Sequence, residues 1–230
     1  MTPKKSVVRL KTALVAAGVA AAALLSASSR MVSAQTSNGA TTGLSYADQL
    51  IQEGRKAFRD DTFGDEAFWG GQLRLHQAIA GAANGGVGPG LSPEAALAVG
   101  LKVDLDRLPP ALVLALKLGQ VNLKDPATTI ALLRLNAVVG VRGFFDPSSG
   151  RIAAMGIQCA LCHSTVDNAL TAGIGRRLDG WPNRDLNVGA IVALAPNLSP
   201  FTTLLGLNDA TVRTVFRSWG RRTLARPRRR

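Results

Sequence analysis

Cys159-Ala160-Leu161-Cys162-His163 restricts what this chain can build more than any other stretch. Its two cysteines are the only two in the protein, and a histidine directly follows the second. C-x-x-C-H is the spacing of covalent haem attachment. Two thiols about one helical turn apart reach the two vinyl groups of one porphyrin, and the next imidazole lies under the ring as proximal iron ligand.

Other chemistries use a C-x-x-C pair. In an oxidising compartment it can be a plain disulfide or a thioredoxin-type redox pair. The redox pair expects alternating strands and helices, whereas the flanking sequence reads as helix and loop. Structural zinc needs four ligands. This chain offers Cys159, Cys162, His163 and the distant His76, and the adjacent Cys162 and His163 are badly placed to share one tetrahedral ion. Haem is the reading the spacing favours.

The N-terminus agrees with that chemistry. Lys4, Lys5, Arg9 and Lys11 precede an apolar run from Ala13 to Leu25, and Val32-Ser33-Ala34 reads as a cleavage site, so residues 1–34 are expected to be a signal peptide. The run is shorter than the roughly 20 residues of a membrane span. No Arg-Arg pair precedes it and no cysteine follows it, so general secretion is expected, with a periplasmic mature protein.

The net charge of +12 reflects the two ends of the chain. Of 27 basic residues, five precede residue 35 and six fall in the last ten, leaving 16 against 15 acidic ones. A nucleic-acid footprint needs a basic face on the folded body, and none is visible.

Helix starts recur along that body while strand signals are scarce. Ser45 is placed to cap a helix to about residue 59, Ser92-Pro93 and Asp125-Pro126 pair an N-cap with proline at the first helical position, and Asn208 or Asp209 caps a last helix to about residue 219. Further helices are expected over 72–83 and 130–139. Asp60–Gly64, Asn84–Gly90 and Asp146–Gly150 read as turns or loops. The expected fold class is all-α.

Residues beyond the motif resemble known families. Gly175-Arg176-Arg177-Leu178-Asp179-Gly180 resembles the Gly-Pro-x-Leu-x-Gly loop that follows C-x-x-C-H in small class I cytochromes c. That resemblance implies a cytochrome c-like helical domain with a loop-rich N-terminal helical extension. It also implies a backbone carbonyl on the Nδ1–H of His163 and Leu178 packed on the ring. Arg176 stands at the proline position, so only the backbone role carries over. Arg176, Arg177 and Arg184 are candidates to pair with haem propionates. Gly54–Phe58, Asp61–Trp69, Leu135–Val141 and Gly156–Asp185 are similar to longer bacterial periplasmic cytochromes related to the di-haem peroxidase superfamily. Those usually continue into a further domain with a second haem. Here a mono-haem domain is expected over 35–220, followed by a disordered Arg-rich tail over 221–230 that a truncated gene or shifted reading frame would explain.

No methionine follows His163, so the sixth iron ligand has two candidates in the mature chain, His76 and Met155. Met155 lies four residues before Cys159 and reads as core filler. His76 is flanked by Leu73, Ile79 and Ala80 on one helix face, and it is the only other histidine. It is the candidate distal ligand, opposite a core histidine as the alternative. Trp69 reads as core packing or a residue at the haem edge.

These features lead to an exported electron carrier with one covalent haem c and a periplasmic redox partner of unspecified kind. The alternative is part of a di-haem peroxidase- or oxygenase-like enzyme.

Overall fold

The computed structural model describes residues 45–219. The expected signal peptide and Arg-rich tail lie outside them. The chain divides into two compact units, residues 1–52 and 53–230. The first is described only over 45–52, where Ser45 Oγ accepts the Asp48 N–H at 3.2 Å and starts helix α1 (Tyr46–Asp60).

In the second unit, a π-helix at Ala67–Gln72 is followed by α2 (Leu75–Ala80), α3 (Pro93–Ala98), strand β1 (Val103–Asp104), α4 (Pro110–Lys117) and α5 (Pro126–Arg134). The chain continues through β2 (Val141–Phe145), β3 (Ile152–Ile157), α6 (Ala160–His163), β4 (Ser164–Val166), β5 (Ile174–Gly175) and β6 (Arg177–Asp179). It closes with α7 (Val188–Val192), α8 (Ser199–Leu205) and α9 (Asp209–Ser218).

The all-α expectation is overturned. Among the described residues six strands form three two-stranded sheets, and a mixed α/β unit results. The largest is the β2–β3 hairpin, antiparallel with Val141 opposite Ile157, Gly143 opposite Met155 and Phe145 opposite Ile152. Its strands are short and interrupted by Gly and Ala, which mutes the period-2 signal. Yet they flank the Asp146–Gly150 turn with β-branched and aromatic residues, as a hairpin should. The turn holds because the Asp146 carboxylate accepts the Ser148 and Ser149 N–H groups and both hydroxyls.

Capped helices form where the caps stand. Ser92 Oγ accepts from Ala95, Asp125 Oδ1 from Ala127 and Asn208 Oδ1 from Thr211. Two helices are shorter than their apolar patterns. The stretch over 72–83 breaks at Arg74, whose φ is +54°, so Trp69 and His76 do not share a continuous helix. The stretch over 130–139 ends at Arg134 because Asn136 turns with φ +50°, and a second turn at Val139 and Gly140 leads into β2.

One core joins α2, α5, the hairpin and α9 through Leu73, Leu75, Leu133, Met155, Leu198, Val212 and Phe216. Gly70 is pressed so closely on β3 that a Cβ there would stand 2.9 Å from the Met155 nitrogen. A smaller cluster of Val139, Ala160 and Val166, covered by Phe58, lies beneath α6. Among the described residues no helix is long and apolar enough to cross a membrane.

Candidate haem-attachment site

The motif occupies the single turn that ends the hairpin. Cys159 has helical dihedrals, the His163 N–H donates to the Cys159 carbonyl at 3.2 Å, and Ser164 is already extended. Positions three and four apart on a helix share a face. Cys159, Cys162 and His163 are accordingly all exposed, while Ala160 and Leu161 point inward and are buried. Ala160 fills the small cluster and Leu161 the main core. The turn is therefore fastened by the two residues the motif leaves unspecified.

Gly140 makes this seat possible. Its carbonyl accepts the Gln158 N–H at 2.9 Å. With φ +75°, it sits where a Cβ would overlap the Leu161 backbone.

A turn this short leaves its last carbonyls without helical partners, and the segment after β6 supplies them. Gly180 N–H donates to the His163 carbonyl at 2.8 Å and Asn183 N–H to the Cys162 carbonyl at 2.9 Å. Asn183 Nδ2 reaches the Leu161 carbonyl at 3.4 Å and the Gly100 carbonyl at 2.9 Å.

This arrangement corrects the loop expected over 175–180. Its residues form β5 and β6, and β6 pairs with β4 in the register Ser164–Asp179, Thr165–Leu178 and Val166–Arg177. The bond between the segment and His163 is made to the histidine's backbone carbonyl, and the ring carries no hydrogen bond among the described residues. Leu178, opposite Thr165 in β4, and Trp181, which follows the Gly180 that bonds the His163 carbonyl, are both exposed.

Of the three arginines considered for propionates, Arg176 and Arg184 are exposed. The Arg177 side chain is only 3% exposed and lies 3.3 Å from the equally buried Asp104. Its Nε and Nη1 make no hydrogen bond, and burial pulls its pKa down against the pull of Asp104. Arg177 is a structural ion-pair residue.

Both thiols are free. The Cys162 sulfur is partly covered by its surroundings, and that burial pushes its pKa above the ordinary thiol value. The flanks expected as helix and loop are instead strands, β3 before the motif turn and β4 after it. No three His, Cys, Asp or Glu side chains converge on a common metal point among the described residues.

His76 lies on α2, half-buried against the core, with Nδ1 buried and unpaired. Burial holds its pKa below the ordinary histidine value, opposed by a hydrogen bond to the Gly70 backbone. No hydrogen bond or shared strand links it to the motif. Met155 is 2% exposed in the hairpin core, the filler role expected of it. Trp69 packs edge-on against Phe68 and donates its Nε1–H to Asp65 Oδ2 at 3.0 Å. Asp65 also accepts the Ile157 N–H at 3.0 Å, and its burial raises its pKa more than these bonds lower it.

The residues present fit a covalently held haem: two free thiols and an imidazole emerge on one face of one turn, beside exposed apolar side chains. Comparison with family models, curated proteins and solved structures finds nothing that matches this chain.

Proposed function

We propose that this protein is an exported c-type cytochrome that binds one haem through Cys159 and Cys162, with His163 as proximal iron ligand, and passes single electrons to a periplasmic redox partner. The observation that carries the reading is the outward face of the 159–163 turn, where all three motif side chains are exposed while the two between them are buried. A large planar group bound from outside needs all three motif side chains on one open face.

The haem iron supplies the one-electron chemistry. The chain's own contribution is to hold the attachment turn rigid and to offer Leu178 and Trp181 as apolar surface next to it. His76 is the proposed distal ligand, supported by its unpaired buried Nδ1 and by its being the only other histidine. Kinship with longer di-haem cytochromes belongs to the same proposal, on a scaffold that is mixed α/β.

The test is covalent haem retention. The chain co-expressed with a periplasmic haem-ligation system should keep haem-linked peroxidase staining through denaturing electrophoresis. The Cys159→Ala, Cys162→Ala double variant should lose it completely. Equal staining of both, or none in the parent, overturns the assignment.

A further inference from the structure

Helix α1 buries none of its fifteen residues, and only its last turn, 57–60, is even partly covered. That last turn ends at the strands next to His163. We infer that Arg59, Asp179 and Ser164 form a positioning device for the proximal histidine, by which the end of α1 fixes the backbone on which His163 is carried; the inference rests on the haem reading above.

The Asp179 carboxylate is engaged at both oxygens. Arg59 donates to Oδ2 through Nε and Nη2, each at 2.6 Å. Ser164 Oγ–H donates to Oδ1 at 2.8 Å. Ser164 is wholly buried, directly follows His163 and is the register partner of Asp179. The residue after Asp179, Gly180, donates its N–H to the His163 carbonyl. One carboxylate thus ties the helix to both strands within one residue of the iron ligand.

An ion pair on an open surface contributes little. This one is about three-quarters covered on both sides, is charge-assisted, and uses the guanidinium edge. Phe58, the neighbour of Arg59, covers the small apolar cluster under the turn, so the same helix end supports the motif from two directions. Outer partners that orient a metal ligand typically change its affinity by about 10- to 100-fold when removed. A second ion pair provides the control. Arg107 to Asp60 at 3.3 Å also anchors this end of α1 but makes no hydrogen bond to β4 or β6.

The experiment uses the full chain loaded with haem, comparing Arg59→Ala, Arg59→Lys, Asp179→Asn, Ser164→Ala and Arg107→Ala. The readouts are the high-spin fraction of the ferric spectrum, the midpoint potential and the thermal midpoint. Arg59→Ala and Asp179→Asn should raise the high-spin fraction roughly ten-fold and shift the potential. Arg59→Lys should restore most of both, because the charge is kept. Arg107→Ala should lower the thermal midpoint while leaving spectrum and potential unchanged. An Arg59→Ala protein that is less stable but spectrally identical to the parent would overturn the proposal. Should Asp179→Asn fail to fold, Ser164→Ala removes a single hydroxyl and is judged by the same readouts. Should the parent carry no haem, the haem reading fails by itself, and the clamp is judged on the haem-free chain. There, loss of a hydrogen bond to a charged group should make Gly180 amide exchange roughly ten-fold faster in Arg59→Ala, and an unchanged rate would overturn it.

Discussion

The two histidines of the described chain occupy opposite kinds of surroundings. His163 stands on an exposed turn whose backbone is held by hydrogen bonds donated by Gly180 and Asn183, with the Gly140 carbonyl accepting from Gln158 just before it. His76 is half-buried among apolar side chains of α2, and one ring nitrogen has no partner. The first region is organised by polar bonds between backbone segments, with its chemical groups left outside. The second is organised by hydrocarbon packing, with its polar group carried inside at a cost. A site that receives a large cofactor needs a fixed backbone and free side chains, and only the first region is built that way.

That contrast can be broken most severely at Gly140. Gly140→Ala forces a Cβ into the Leu161 backbone at a positive φ, and the expected loss is at least about 3 kcal/mol. Denaturant unfolding should show it, and haem attachment should fall with it. A loss under about 1 kcal/mol would mean that the turn is not seated on Gly140 as described.

The packed region breaks differently. Leu133 is 2% exposed between α2 and the hairpin, and Leu133→Ala should cost about 3 kcal/mol through its cavity. Any protein that remains folded should still stain for haem, since the Gly180 and Asn183 bonds that hold the turn's carbonyls do not involve Leu133.

His76→Leu sharpens the comparison. In the haem-free chain, exchanging an incompletely paired ring for a hydrocarbon should change unfolding stability by no more than about 1 kcal/mol. In the haem-loaded protein the same substitution should convert low-spin to high-spin iron and admit carbon monoxide. An unchanged low-spin spectrum would return His76 to the class of core histidines.

The smallest effect lies at the hairpin tip. Four bonds from Ser148 and Ser149 hold the Asp146 carboxyl below its ordinary value, at about 2. A depressed carboxylate stabilises the fold fully above its unfolded value near 3.8 and loses that contribution as pH falls through about 2. Ser148 and Ser149 amide exchange should accelerate over that window in the parent. Asp146→Asn should remove the pH dependence.

Signals in the sequence are legible where the cause is local. Ser92, Asp125 and Asn208 cap the helices they stand before, because a cap needs only its own side chain and the next three residues. The outward face of the motif also follows from spacing, since 159, 162 and 163 share one side of any helical turn. The strands are not legible for the opposite reason. Ile152-Ala-Ala-Met-Gly-Ile has little alternation of its own and becomes a strand through pairing with Val141–Phe145. Gly140 did carry a signal, as a glycine inside an apolar run.

The sequence by itself determined the chemistry on offer: two thiols and an imidazole at one spacing, helix starts at their caps, and a near-neutral body between basic ends. Only the tertiary structure decided that the 175–180 segment is a paired strand, that Arg177 is buried against Asp104 while Arg176 stays outside, and that Arg59 meets Asp179 across 120 positions. Residues that far apart meet only when the whole core has closed, and no local propensity records the loop entropy that such contacts must overcome.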